Sequence, residues 1–189
     1  LTLSGTESGE TVFPTPIPPL PPEGFVLGAS VQSAQLAAQF NWHFIFAAHL
    51  NGDRALLRDV LSFWQTHSAR PTIVAVQVIV ADSNDTAAQL AENVQIWGVE
   101  LENGQRVTVA SEEQALAFAA QAGSPPRKIA RREQALLHGT AQEVMAKLNA
   151  LHTQFGIDEF IIDTPVAEGH ARLTSLRLLA QAHNAVEVL

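Results

Sequence analysis

The feature that most constrains the fold is a nearly unbroken apolar run from Thr72 to Val80. It is rich in β-branched side chains, and Gln77 is the one polar residue inside it. Apolar residues do not alternate with polar ones, so both faces of this strand are expected to be buried. That pattern is typical of a parallel sheet covered by helices, and it predicts an α/β fold.

Three shorter apolar runs, at residues 25–29, 43–48 and 159–163, predict further strands. The segments that separate them show helical periodicity, with helix starts expected at Ser33, at Asn51, at residues 82–85 and at the capping box Thr140–Glu143. Strands that alternate with helices give right-handed crossovers, so we expect the four strands to be parallel and adjacent in chain order. Both a doubly wound open sheet and part of a (β/α) barrel fit this order. A complete barrel needs roughly 250 residues.

Two segments do not follow this alternation of strands and helices. Residues 1–24 are polar and then proline-rich, with six of the ten prolines between Pro14 and Pro22, so we expect an extended entry segment. Residues 99–127 form an insertion with a turn at Asn103-Gly104 and a capping-box spacing from Ser111 to Gln114. The expected organisation is therefore an entry segment at 1–24 and one α/β unit at 25–189.

Composition excludes several classes of function. A net charge of −8 argues against nucleic acid and anionic membrane surfaces as partners. No apolar run approaches the ~20 residues of a membrane span. The absence of cysteine excludes disulfides and thiolate metal sites, and it suits a cytoplasmic protein. No metal site is predicted, because His43 and His49 have no third ligand nearby in the sequence.

The segment Gly28-Ala29-Ser30-Val31-Gln32-Ser33 joins the first predicted strand to its helix. Free helix N–H groups, the helix dipole and two hydroxyls could form an anion site there. The alternative is purely structural, with Ser33 as an N-cap and Ser30 as a turn residue. The signatures of P-loop and dinucleotide-binding proteins are absent.

Four stretches together resemble bacterial luciferase-like flavin-dependent monooxygenases. Residues 25–39 and 44–49 are similar to the family's fifth strand, its helix and the sixth strand; residues 135–140 resemble its seventh-helix entrance, and residues 158–165 its eighth strand. The resemblance runs in order from about Phe25 to Asn184. It implies the C-terminal half of a TIM-type (β/α)8 barrel, with parallel strands 5–8 and their helices.

The resemblance also implies a cofactor and a reaction. It implies that FMN lies at the carboxyl-terminal mouth of the barrel, with its phosphate held by the turn that contains Gly28, Ala29, Ser30 and Ser33. The reaction expected for the parent protein uses reduced flavin and O2 to oxidise a small organic substrate, such as an aldehyde, while the protein binds, orients and excludes water.

The family's first four strands have no counterpart in this sequence, so we do not expect this chain alone to form a complete flavin site. The missing half-barrel could be a separate chain or fragment, or two copies could pair as a homodimer. A truncated, catalytically inactive half-barrel with a structural or flavin-binding role is the alternative function. The exposed edges of half a barrel predict that the chain is not a monomer. A flavin reductase is a further candidate partner.

Other side chains are weaker candidates. His49 follows a strand end, where it could position a substrate, or it could be a solvated loop residue. Gln77 could contact a ligand or be a hydrogen-bonded core residue. Asp163 could contact a ligand or be a turn residue. Trp97 is expected in the core on a helical stripe. A basic cluster in the insertion is expected on a solvated helix face or on a lid over an anionic ligand; it consists of Arg127, Lys128, Arg131 and Arg132.

Overall fold

The computed structural model describes residues 22–49, 52–94, 96–132 and 135–186. Most of the expected entry segment, and the expected helix cap at Asn51, lie outside these residues. The elements run, in chain order, β1 (Phe25–Gly28), α1 (Val31–Gln39), β2 (His43–Ala47), α2 (Arg54–His67), β3 (Ile73–Val80), α3 (Asn84–Glu92), β4 (Ile96–Leu101), β5 (Arg106–Val109), α4 (Glu112–Gln121), β6 (Pro126–Arg132), β7 (Leu136–Gly139), α5 (Ala141–Phe155), β8 (Glu159–Asp163) and α6 (Gly169–Val186).

Strands β1, β2, β3 and β8 are parallel neighbours in that order, which confirms the prediction made for the four apolar runs. Phe25 pairs with His43 and Ile45 with Ile73, while Ile73 also pairs with Glu159 on β8. The sequence did not predict β7 as a strand. It pairs in parallel with the last residues of β3, and the Ala81 N–H donates to the Gly139 carbonyl oxygen at 3.2 Å.

The main core lies between one face of this sheet and the helices. Side chains alternate between the two faces along a strand, and Val74, Val76, Val78 and Val80 of β3 all belong to this core. Trp64 of α2 is fully buried there beside Phe44, with ring centroids 5.6 Å apart, and its indole N–H donates to the Pro71 carbonyl at 3.1 Å. The helices therefore stabilise the sheet by covering this face.

The opposite face of the sheet, called the second face below, carries the side chains of alternate residues on the same strands. They are Phe25, Leu27, His43, Ile45, Ala47, Ile73, Ala75, Gln77, Ile79, Leu136, His138, Glu159, Ile161 and Asp163, and the strand register places them side by side. Its middle is buried, since Ile45, Ile73 and Ala75 form a small cluster. Its margins are exposed: Phe25 is 52%, Leu27 55% and Ile161 44% accessible.

Residues 96–132 form a second, smaller unit, called the antiparallel unit below. Its sheet has the order β5-β4-β6, and α4 packs on it over a core of Val99, Leu101, Ala115 and Ala119. The turn expected at Asn103-Gly104 is confirmed: Gly104 has φ 86° and its N–H donates to the Leu101 carbonyl at 3.0 Å.

Two expectations for this region were wrong. Trp97 lies half-buried on strand β4 and not on a helix, and it is not part of the core of this unit. The basic cluster lies on strand β6 and does not form a helix face; it consists of Arg127, Lys128, Arg131 and Arg132. Arg127 is exposed and lies 3.5 Å from a carboxylate oxygen of Glu100, to which Arg106 on β5 also donates at 3.2 Å.

Most of the expected helix starts are confirmed, with two corrections. Ser83, Ser111 and Thr140 are N-caps, and Thr140 and Glu143 make a complete capping box. The cap of α1 is Ser30 and not Ser33, and α2 is capped by Asp53. None of the helices in the described part of the chain is long and apolar enough to span a bilayer.

Candidate functional site

All the strands of the parallel sheet end at the same edge, and most candidate residues lie at that edge. Gly28 is the last residue of β1 and Ala29 and Ser30 follow it; His49 follows β2, and Asp163 is the last residue of β8. Ligands of parallel α/β sheets bind outside the carboxyl ends of the strands. The carboxyl edge is therefore the place to look for a site.

The start of α1 provides hydrogen-bond donors at this edge. Ser30 has extended backbone angles (φ −151°, ψ 156°), and its hydroxyl oxygen accepts the Ser33 N–H at 3.2 Å. The N–H groups of Val31 and Gln32 precede the first possible helical hydrogen bond, so they point out of the helix end. Together with the positive end of the helix dipole, they form an environment suited to an anion.

The hydroxyls of Ser30 and Ser33 lie 3.0 Å apart and are hydrogen-bonded to each other. Two hydroxyls have two hydrogens between them, and their mutual bond uses one. Whichever serine donates within the pair, the other O–H remains available to a ligand. The correction of the cap from Ser33 to Ser30 thus keeps both serines in one donor group.

Gly28 is required by the close approach of α1 to β1. A Cβ at this position would collide with Ser33, lying 2.6 Å from the Ser33 Cβ. In the structure, the missing side chain leaves room for Ser33, so Gly28 acts by placing the hydroxyl pair beside the strand end.

The two histidines lie at opposite ends of β2, and only His43 belongs to the strand. His43 begins the strand, stacks on Phe25 and lies 2.8 Å from Nη1 of Arg70, a contact that the sequence did not indicate. His49 lies in the turn beyond the strand, half-buried, and its Nδ1 is buried without a hydrogen-bond partner among the described residues. Nor do three His, Asp or Glu side chains come together as metal ligands in the part of the chain that the structure describes.

Gln77 and Asp163 are brought together by the register of β3 and β8. They are paired neighbours on the second face, and the Gln77 Nε2 donates to Asp163 Oδ2 at 2.9 Å. Each had been considered separately, because 86 positions separate them in the sequence. Only strand pairing could have shown that they form one group.

The sequence also missed a polar bridge between α3 and α5 at the carboxyl edge. Asn84 donates to Glu143 Oε1 at 2.8 Å and accepts the Thr140 N–H at 3.2 Å. The hydrogen bonds from the Asn84 side chain and the Thr140 backbone hold the pKa of Glu143 below its usual value. The capping-box spacing indicated Glu143 but gave no sign of Asn84.

Comparison with known proteins identifies relatives in sequence and in fold. The chain is 29% identical over 162 residues to the N-acetyl-S-alkylcysteine monooxygenase of Bacillus subtilis (strain 168), covering 84% of this chain and 48% of that protein. The crystal structure of apo-MsnO8 superposes with a TM-score of 0.63 at 21% identity, covering 94% of this chain and 56% of that one. No family model matches the chain.

A third protein has the same fold and was solved with a bound flavin. The oxygenating constituent of 3,6-diketocamphane monooxygenase from Pseudomonas putida, in complex with FMN, matches with a TM-score of 0.50 at 16% identity. The match covers 85% of this chain and 49% of that one.

The relatives and structural neighbours of this chain are luciferase-like flavin-dependent monooxygenases, which confirms the resemblance predicted from the sequence. The α/β fold with a parallel sheet is shared with them. The chain spans about half the length of the curated relatives it matches: 48% of the N-acetyl-S-alkylcysteine monooxygenase and 50% of a second Bacillus subtilis protein.

Proposed function

We propose that this chain is the flavin-phosphate-binding part of an FMN-dependent monooxygenase that uses reduced flavin and O2 to oxidise a small organic, aldehyde-like substrate. The observation that carries the proposal is the pair of serine hydroxyls at the start of α1, directly after β1. It combines one free O–H, two outward N–H groups and a helix dipole at the carboxyl edge. The phosphate of FMN is an anion that this arrangement fits.

The residues present would hold the phosphate and leave the redox chemistry to the cofactor. Ser30 and Ser33 would donate one hydroxyl hydrogen and the N–H groups of Val31 and Gln32 would donate to the anion, while Gly28 keeps the helix close to the strand. When bound, reduced flavin supplies the reaction with O2. His49 is the candidate for positioning the substrate, since its buried Nδ1 has no partner among the described residues.

The second face supports the further proposal that this unit is the C-terminal half of a (β/α)8 barrel. In the described part of the chain, the core that the helices share with the sheet lies on one face, as it does outside a barrel wall. Among the described residues, β1 pairs only with β2, and β8 only with β3, so both strands have an edge available for pairing. The exposed Phe25, Leu27 and Ile161 lie beside these edges.

Open edges and exposed apolar side chains of this kind favour association. We propose that a complementary half-barrel, on the same polypeptide, on a separate one or in a second copy, covers the second face and supplies the rest of the flavin pocket. A flavin reductase would then supply reduced cofactor to the completed site.

The test is the double change Ser30→Ala with Ser33→Ala, assayed by FMN and riboflavin binding in the assembly in which the chain is isolated. Hydrogen bonds to a charged acceptor contribute about 1.5–3 kcal/mol each. FMN should bind roughly ten- to a thousandfold more weakly, at about 1.4 kcal/mol per tenfold. Riboflavin lacks the phosphate, so its affinity should change little.

The chain provides a matched control at the start of α3. Ser83 caps that helix, accepts the Thr86 N–H at 3.2 Å, and its hydroxyl lies 2.9 Å from that of Thr86. Ser83→Ala with Thr86→Ala removes an equivalent cap, costing about 1 kcal/mol of stability, but should leave FMN affinity unchanged. Equal losses for FMN and riboflavin would mean that the α1 serines support only the helix. No loss for either flavin would place the phosphate elsewhere.

A further inference from the structure

The second face is apolar in its middle and polar at each end. Ile45, Ile73 and Ala75 occupy the middle, with Phe25 and Leu27 at one margin and Ile161 at the other. Toward the carboxyl edge β8 ends at Asp163, which is hydrogen-bonded to Gln77; this pair is called the acceptor pair below. On β3 the fully buried Ile79 follows Gln77 on the same face. A ligand lying on this face would meet an apolar surface first and then one polar group.

The hydrogen bond within the acceptor pair determines what it can offer to a ligand. Asp163 is an acceptor only, and the bond from Gln77 occupies one site on Oδ2, which leaves Oδ1 free. Because the Gln77 amide directs its nitrogen toward Asp163, its carbonyl oxygen points away from the carboxylate. The pair therefore presents two acceptor oxygens and one remaining N–H.

The acceptor pair also carries an uncompensated negative charge. Among the described residues, no lysine, arginine or histidine lies within ion-pairing distance of Asp163. Covering this face would remove water from the carboxylate, which is unfavourable unless a cation or a strong donor replaces the water. The group that best satisfies two acceptors and a negative charge is an ammonium.

We propose that the acceptor pair is a substrate-positioning site that binds an ammonium group carried by the small organic substrate, whose alkyl chain lies along Ala75 and Ile161. The assignment to a substrate rests on the proposed function, while the binding itself does not. Gln77 and Asp163 would act as positioning residues, because they hold the end of the substrate that bears the amine. The N–H of a flavin ring has similar donor chemistry, so the experiment must separate the two sources.

The experiment is an NMR titration of the full chain at low ionic strength with n-butylammonium, n-butanol, n-butyrate and riboflavin. The probe read is the side-chain amide resonance of Gln77, assigned by its disappearance in Gln77→Met. We expect n-butylammonium to shift this resonance with saturation and n-butyrate not to shift it. Asp163→Asn should weaken n-butylammonium binding roughly two- to fivefold, the range expected for an exposed ion pair.

Glu159→Gln is the matched control, because Glu159 is a carboxylate on the same strand and the same face, at the opposite end. It should leave n-butylammonium binding unchanged. An equal effect of both substitutions, or a Gln77 resonance that responds to n-butyrate as strongly as to n-butylammonium, would overturn the proposal. A response to riboflavin alone would reassign the pair to the flavin ring and would also overturn it.

The Gln77 amide resonance of the unsubstituted chain tests n-butylammonium binding even if Asp163→Asn does not fold. Failure of the proposed function would look different: FMN would not depend on Ser30 and Ser33, while n-butylammonium would still shift Gln77.

Discussion

The parallel sheet with its helices and the antiparallel unit have cores of different kinds. The core of the parallel unit contains fully buried large side chains, among them Trp64, Phe44 and Phe46. The antiparallel unit has Val99 and Leu101 packed on two alanines of α4. In the described part of the chain, α4 packs on the strands of its own sheet and not on the parallel unit.

The difference indicates where the stability of the molecule resides. Burial of apolar surface is the main favourable contribution to folding, and the large aromatic side chains lie in the parallel unit. We therefore expect the parallel unit to determine global unfolding and the antiparallel unit to open locally at lower cost.

A matched pair of leucines tests this most strongly, since Leu61 and Leu101 are each 1% exposed. Leu61→Ala should lower the free energy of unfolding by about 3–5 kcal/mol, and Leu101→Ala by about 2–3 kcal/mol, because a smaller core collapses more easily around the cavity. Urea-induced unfolding measures both. Hydrogen exchange should speed up across the whole chain for Leu61→Ala but only within residues 96–132 for Leu101→Ala. Global loss of protection in both variants would make the two units one cooperative core.

Two helix caps give a smaller contrast. Thr140→Ala removes the hydroxyl half of a capping box, in which Thr140 Oγ1 accepts the Glu143 N–H; its backbone N–H keeps its bonds to Asn84 and Glu143. Ser111→Ala removes a cap whose Gln114 side chain reaches the Ala110 N–H instead. We expect losses of about 1–2 kcal/mol at Thr140 and about 0.5–1 kcal/mol at Ser111. Thermal unfolding of the two variants side by side checks the order. The reverse order would show that the hydroxyl contributes no more in a capping box than in a simple cap.

The smallest expected effect is the pH dependence of the free energy of unfolding that Glu143 causes. The folded-state pKa of Glu143 is lowered by its hydrogen bonds from Asn84 and Thr140, so the carboxylate stabilises the fold above its ordinary pKa. This contribution is lost as pH falls from the ordinary value of 4.5 through the lower folded-state value. Glu143→Gln should therefore lower the free energy of unfolding at neutral pH but not at the acid end of this window. The corresponding position of α4 already carries Gln114, so α4 provides a natural reference. A difference that stays constant with pH would show that the charge of Glu143 does not matter.

The sequence predicted four strands of the parallel sheet because each is a nearly continuous apolar run. The run from Thr72 to Val80 is rich in β-branched residues, and its neighbours follow from alternation with helices. The strands of the antiparallel unit were missed because Trp97 continues the apolar spacing of the preceding helix and because polar or charged side chains interrupt β5 and β6. Residues 126–132 in particular carry four basic side chains, and charge does not distinguish a strand edge from a helix face.

The candidate site was predictable where its residues are neighbours in sequence, and not where they are distant. Gly28, Ala29, Ser30 and Ser33 necessarily lie close together, although the sequence placed the cap at Ser33, three positions after the actual cap Ser30. Gln77 and Asp163 meet through β3–β8 register, which depends on contacts along the whole sheet. Asn84 reaches Glu143 only after the chain has left the sheet and returned.

The return of the chain from β3 to the neighbouring strand β7 has a consequence for how long the segment between these strands can be. The hydrogen bond from the Ala81 N–H to the Gly139 carbonyl joins the residue that leaves β3 to the last residue of β7. Everything between these two residues is a loop closed at its base, and the antiparallel unit lies within it. The entropy of closing such a loop grows only logarithmically with its length, by about 0.6 kcal/mol per doubling. Related chains could therefore lengthen, shorten or replace this unit while the strands on either side keep their register.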